Sequence, residues 1–146
     1  MKALTVCQPY ADLILLPKTD SRFKRVENRT WPTRFRGPLL IHAGKSRDWL
    51  CENPRQPGYD DYGFKLDEIV FGAIVGVVDV INSLPADQVE QVYPQLKGHQ
   101  HINGPWCIVM CNVRRFATPI PYKGAQGLFE VPAEVVAEQM AAVEAK

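Results

Sequence analysis

The sequence predicts an α+β fold, a small β-barrel of about five to seven strands decorated by short α-helices. Three observations lead there. Strand-like apolar runs are short and unevenly spaced, which argues against repeating βαβ units. The longest run, Ile69 to Ile81, is rich in valine and isoleucine and apolar on both alternating faces. No internal repeat, low-complexity tract or linker interrupts the chain, so residues 1–146 read as one domain.

In chain order, residues 2–7 (KALTVC) read as a short strand. Pro9 stands where a first helical turn tolerates proline, and Tyr10, Leu13 and Ile14 have helical spacing in a helix that Pro17 stops after Leu16. Arg25 to Trp31 reads as a strand with a charged face, and Pro32 to Gly37 as a turn. Pro38 to Ala43 is a buried strand that Gly44 breaks. Ser46 is an N-cap candidate for a helix reaching Leu50 or Cys51. Residues 53–63 form a polar, proline- and glycine-rich loop. Gly72, Gly76 and Asp79 interrupt the run from Ile69 to Ile81, which suggests a long, bent strand with bulges or close approaches. Ala86 to Tyr93 reads as a short helix and Trp106 to Phe116 as a strand with a basic end. Residues 117–128 are turn-rich and lead to a strand over Leu128 to Val131. Pro132 opens a C-terminal helix from about residue 133, with Val136, Met140 and Val143 as its apolar stripe.

The bulk composition excludes several classes of protein. Hydrophobic residues make up 46% and charged residues 23%, the balance of a globular domain that needs no staples. A formal net charge of +1 rules out a polycation, so nucleic-acid binding has to rest on local clustering. Cys7, Cys51, Cys107 and Cys111 form no CxxC pair, and His42, His99 and His101 lack ligand spacing to them. No metal and no cofactor is expected, and the cysteines read as reduced, buried thiols. No apolar run approaches membrane-spanning length, and the N-terminal stretch is broken by Gln8, Pro9 and Asp12. A cytoplasmic protein without a membrane partner is the expectation.

The local cluster is Arg22 to Arg36, with six basic residues, one acid (Glu27) and three aromatics, Phe23, Trp31 and Phe35. Cations bind phosphates, and aromatic and guanidinium planes stack on bases. A strand edge charged against aggregation would have the same composition. Within the cluster, Lys24, Glu27 and Arg29 are the reactive types. On an extended strand Glu27 and Arg29 share a face and Lys24 takes the other. A Lys24 lying before the strand proper can swing to the same pocket and serve as nucleophile or base. The plainer alternative is a Glu–Arg pair holding the strand.

His42-Ala43-Gly44-Lys45-Ser46 resembles the end of a phosphate-binding loop, but Leu39 stands where that motif needs glycine, so a nucleotide triphosphatase is rejected. Lys45 and Ser46 remain candidates for an anion site, or else a surface charge and a cap. His42, ending an apolar strand, fits a hydrogen-bonded core histidine better than a catalyst, since no triad partner pairs with it. Asp79 is a candidate acid or base, or the partner of a barrel arginine. Lys123 and Gln126 sit in a glycine-containing loop that either approaches a ligand or simply turns.

These stretches resemble an ASCH domain, a branch of the PUA-like superfamily. Ala3-Leu4-Thr5-Val6 with Gln8-Pro9-Tyr10 resembles the family's opening strand and Q-P-aromatic helix start. Lys24 with Val26 to Trp31 resembles its K-x-x-E-x-R core, and Arg36 to Ala43 its following apolar strand. Ile74 to Val78, Gly104-Pro105-Trp106, Pro119-Ile120-Pro121 and Lys123-Gly124 match later landmarks in order. The resemblance implies a PUA-like barrel whose cleft binds RNA or a nucleoside, in RNA metabolism or translation. Some related members hydrolyse the amide of acetylated cytidine nucleosides, and others are reported to cleave RNA. Carried over, Lys24 with Glu27 is the candidate catalytic pair. Glu27 stands where the small amidohydrolase branch has a hydroxyl residue. Gln8, Tyr10, Arg29, Trp31, Arg36, His42, Lys45, Ser46, Lys123 and Gln126 are the candidate ligand-binding residues. Asp79, Asp87 and Glu90 are alternatives for an acidic partner. Three functions are therefore expected: an RNA-binding module, a metal-independent ribonuclease or nucleoside amidohydrolase, or a protein-binding domain with a vestigial cleft.

Overall fold

The structure is a computed structural model that describes residues 1–47, 64 and 68–145. Six strands form one mixed sheet: β1 (Lys2–Val6), β2 (Val26–Arg29), β3 (Gly37–Ala43), β4 (Ala73–Pro85), β5 (Trp106–Pro121) and β6 (Leu128–Glu130). Their order is β2-β5-β4-β3-β1-β6. Among the described residues the helices are α1 (Tyr10–Ile14), α2 (Ala86–Val92) and α3 (Ala133–Glu144), with a 3₁₀ turn over Pro94–Leu96. The sheet curls into a half-barrel within an α+β fold. Only β1 and β3 run parallel, from Ala3 opposite Leu40 to Val6 opposite Ala43. The expected helix after Ser46 and the loop 53–63 lie outside the described residues.

The two apolar faces of β4 follow from what covers them. Val75, Val78 and Val80 join Leu4, Val6, Leu39, Ile41, Ile108 and Met110 in the concave core under α1. Ile74 and Val77 turn the other way, with Ala3, Leu40, Phe116 and Val136 under α3. A third cluster, Val26, Val89, Cys107 and Val109, seats α2. The strand is covered on both sides, so it carries no polar alternation.

β2 is shorter than expected, Val26–Arg29 rather than Arg25 to Trp31, and two strands differ more. β4 starts at Ala73 rather than Ile69, because Gly72 adopts φ 68° and its N–H donates to the Ala43 carbonyl at 2.8 Å. It then continues past Ile81 to Pro85, since Asn82 to Pro85 pair with Val109 to Trp106. β5 likewise extends to Pro121 through a stretch that reads as turns. Its outer edge is paired by β2 only from Trp106 to Val109. Pro119 and Pro121 therefore fall where the second edge carries no ladder, and the missing N–H costs little there.

The bends come from register shifts between β4 and β5 at Ile74/Gly76, Val77/Asp79 and Val80/Asn82. Gly76 marks a close approach: a Cβ there would lie 2.7 Å from the Arg114 carbonyl oxygen and 2.8 Å from Leu15 Cδ2. Asp79 resolves as an arginine partner, its carboxylate accepting from Arg114 at 2.6 Å and Asn112 at 2.8 Å. We predict that Gly76→Ala destabilises the protein by about 1–3 kcal/mol through overpacking against backbone. Urea unfolding at constant m-value measures it.

Candidate functional site

The site begins with the chain between α1 and β2. The Lys24 N–H donates to the Leu13 carbonyl at 3.1 Å, which anchors Lys24 against α1 and ahead of β2. From there its ammonium reaches the Glu27 carboxylate, three residues on, and lies 5.4 Å from the Tyr10 ring centroid. The alternation that would separate Lys24 from Glu27 does not apply, because Lys24 is not in the strand.

Glu27 is 7% exposed and Lys24 4%. The other carboxylate oxygen of Glu27 accepts from Arg29 Nη2 at 2.8 Å. The same Nη2 donates to the Thr5 carbonyl at 2.8 Å. β2 and β1 are not neighbours in the sheet, so this guanidinium bridges across the open side of the half-barrel. Burial pushes the Glu27 carboxyl up, but the charges and hydrogen bonds of Lys24 and Arg29 outweigh it and hold it below the usual carboxylate range. The Arg29 Nε is buried without a partner among the described residues.

Two adjoining clefts open at the carboxyl ends of β1 and β3. The first, about 620 Å³, is lined by Tyr10, Glu27, Arg29, Trp31, Lys45 and Ser46 together with Thr5, Val6, Cys7, Asn28, Thr30 and Gly44. The second, about 590 Å³, is lined by His42, Lys45, Lys123, Tyr122 and Pro121 with Thr5, Gly44, Gly72 and Gly124. Thr5, Gly44 and Lys45 belong to both.

His42 is 1% exposed and both ring nitrogens are engaged. Its Nε2 meets the Tyr122 carbonyl at 2.7 Å, so that nitrogen carries the hydrogen and donates. Its Nδ1 lies 3.1 Å from the Thr5 hydroxyl, which donates to it in the neutral ring. The histidine thus ties β3 to β1 and to the loop after β5. Gly124 packs on this pair, where a Cβ would come within 2.8 Å of both Thr5 Oγ1 and the His42 ring.

Several residues singled out in the sequence stand elsewhere. Gln8 is 1% exposed; it accepts from the Asp12 N–H at 3.0 Å and donates to the Val70 carbonyl at 3.0 Å, so it holds α1. The Arg36 guanidinium is spent on the Thr33 and Phe35 carbonyls and on Asn82. Gln126 is exposed and lines neither cleft. Asp79, Asp87 and Glu90 also stay out of both clefts; among the described residues the acid that lines the first cleft is Glu27, and none lines the second. Lys24 lies behind Glu27 rather than on the cleft surface. Among the described residues no three histidine, cysteine or acidic side chains are placed to hold a metal ion.

Other contributors escaped the sequence reading. Asn28 Oδ1 accepts from the Asn103 and Gly104 N–H groups at 3.1 and 3.0 Å, and its Nδ2 donates to the His101 carbonyl at 2.7 Å. It pins the 101–104 loop beside the cleft; its place between Glu27 and Arg29 was the available signal. Of the described cysteines only Cys107 is the buried thiol expected; Cys111 is half-buried and Cys7 is exposed at the rim. Partial desolvation of the Cys7 thiol and the Glu27 carboxylate raise its pKa, the opposite of what a cysteine nucleophile requires.

With this geometry in place, known proteins can be compared. The chain matches the ASCH domain over residues 4–120. It belongs to the ASCH domain family. Activating signal cointegrator 1 from Homo sapiens is 24% identical over 141 residues, which is 90% of this chain and 22% of that protein. The Mus musculus protein of the same name is 23% identical over the same share. The chain therefore spans about a fifth of the length of these relatives. Crystal structures of two variants of an ASCH protein from Zymomonas mobilis share the fold, with a TM-score of 0.53 and 11% identity. One match covers 96% of both chains. The other covers 97% of this chain and 94% of its counterpart. No helix among the described residues of this ASCH domain is long and apolar enough to cross a membrane.

Two predictions test the ionic arrangement. Glu27→Gln leaves the Lys24 ammonium buried beside an amide and should cost about 3–5 kcal/mol. The second concerns His101, which is 5% exposed and whose pKa burial, Lys24 and His99 push down from 6.5 to about 4. The folded state keeps His101 neutral, while the unfolded chain protonates it near 6.5. Its contribution is complete above pH 6.5 and is lost as pH falls towards 4. His99, also lowered, acts in the same direction. Melting temperature should fall across that window, with a shallower slope in His101→Gln. Glu27, held below its usual 4.5, stabilises the fold fully above that pH, and its contribution is lost only as pH falls below 4.5.

Proposed function

We propose that this ASCH domain binds RNA, or a nucleoside or nucleotide, in the first cleft. The observation that carries the reading is convergence. Tyr10 and Trp31, well apart in sequence, meet Arg29 and Lys45 around one concavity of about 620 Å³. That volume suits a small ligand or a single nucleotide. Aromatic rings give a base a stacking surface worth about 1–3 kcal/mol, and the cations neutralise phosphate. The ASCH family's association with RNA binding supports the same reading. The charge is local, in keeping with a net charge of +1: a nucleotide-sized grip rather than a polyanion surface.

Binding of labelled single-stranded RNA, measured by anisotropy over a salt series, tests it. Trp31→Ala should weaken binding by about tenfold, the loss of one stacked base. Lys45→Ala should weaken it and lower the slope of log affinity against log salt by about 0.7, one phosphate on a single strand. Unchanged affinity and slope in both variants would sink the reading.

The contact between Lys24 and Glu27 favours one alternative: hydrolysis of RNA, or of the amide of an acetylated cytidine nucleoside, with this pair moving the proton. Glu27 lines the cleft and Lys24 supports it from behind. Incubation with labelled RNA and with acetylated cytidine, in EDTA, checks both reactions. Turnover lost in Lys24→Ala and Glu27→Gln, with each variant shown folded, would establish it; turnover that persists removes the pair from the mechanism.

A further inference from the structure

The second cleft is built differently from the first, and the difference is chemical. The first has two aromatic rings, Tyr10 and Trp31, with a charged floor. The second carries two exposed lysines, Lys45 and Lys123, over backbone at Gly44, Gly72 and Gly124. Its histidine is not available to a ligand, since both nitrogens of His42 are engaged by Thr5 and Tyr122. Among the described residues its lining holds no acid. Neither lysine has a carboxylate within salt-bridge distance among the ion pairs of the described residues.

The placement of Lys45 links the two clefts. Its alkyl stem lies across Gly72, where a Cβ would come within 2.9 Å of Cγ and 3.1 Å of Cε. The φ of 68° at Gly72 favours glycine, and the absence of a Cβ leaves room for the Lys45 stem as it lies. The stem is supported along its length, and the residue lines both concavities. A strand of nucleic acid with one base in the first cleft would carry its next phosphate past Lys45 and towards Lys123.

We infer that the second cleft is a phosphate subsite, and that the ligand is an RNA strand of at least two linked nucleotides rather than a free nucleoside. The bridging phosphate sits between Lys45 and Lys123, and the neighbouring nucleotide occupies the glycine-lined cleft. This inference rests on the binding reading proposed for the first cleft. It adds the class of ligand: a phosphodiester-linked strand.

Calorimetric titration of the whole protein with four probes separates the two claims. The probes are cytidine, cytidine monophosphate, a cytidine dinucleotide, and the same dinucleotide with a neutral methylphosphonate linkage. The dinucleotide should bind at least tenfold more tightly than cytidine, and the neutral linkage should lose most of that gain. Lys123→Ala should bring the dinucleotide down towards the cytidine value, while Lys123→Arg should restore it. Cytidine and the dinucleotide binding equally would overturn the subsite and leave the first-cleft reading standing. A gain that survives the neutral linkage would overturn the phosphate assignment. Failure of all four probes and of a longer single-stranded RNA would overturn both.

Discussion

Compensation of the buried Glu27 charge is the constraint on which the site and the closure of the sheet depend. A carboxylate 7% exposed is tolerable only with both oxygens matched, and Lys24 and Arg29 each take one. The two partners arrive from different directions. Lys24 comes from the segment tied to α1 through Leu13, and Arg29 from the far end of β2. Arg29 then spends the same terminal nitrogen on the Thr5 carbonyl of β1. One guanidinium therefore neutralises the acid and spans the open side of a sheet in which β2 and β1 are separated by β5, β4 and β3.

The consequence for chemistry is a cleft floor of paired charges below a rim of exposed ones. Lys24 is buried and paired, so among the described residues that line the clefts the exposed cations are Lys45 and Lys123. The His42 hydrogen bonds to Thr5 and Tyr122 hold the wall between the clefts in the same way. Among the described residues the floor of the first cleft holds paired charges and the rim exposed lysines, so the charges that hold the fold are not the ones left to solvent. The Asn28 side chain extends that scaffold, fixing the loop that bears His101 beside Lys24 and Tyr10.

Much of the strand and helix order was legible because local signals and tertiary environment agreed. Pro9, Pro17 and Pro132 bracket helices, and the valine-rich run announces a strand buried on two faces. The misread ends are informative. Asn82 to Pro85 look like loop, and residues 117–121 look like turns, yet both pair as strand because β4 and β5 lie beside each other over that length. A partner strand can satisfy backbone groups whatever the side chains, and no local pattern reports that partner. In the site, the K-x-x-E-x-R stretch was visible, whereas Thr5, Cys7, Asn28 and Gly72 were not. Their roles come from position beside residues distant in sequence. Gln8 and Arg36 showed the converse: polar types that suit a ligand, consumed instead by the Val70, Thr33 and Phe35 carbonyls.

By itself the sequence determined the fold class and the concentration of basic and aromatic residues between Arg22 and Arg36, since composition and periodicity are properties of short stretches. Tertiary structure alone decided which of those charges are neutralised and which are left exposed. Lys24, Arg25 and Arg29 are all basic residues of one segment, but one is buried against Glu27, one holds the Met110 carbonyl, and one reaches across to Thr5. The cations that rim the clefts come from elsewhere, Lys45 after β3 and Lys123 after β5. Charge is written in the chain, but whether it is neutralised depends on what the fold brings within a few ångströms of it.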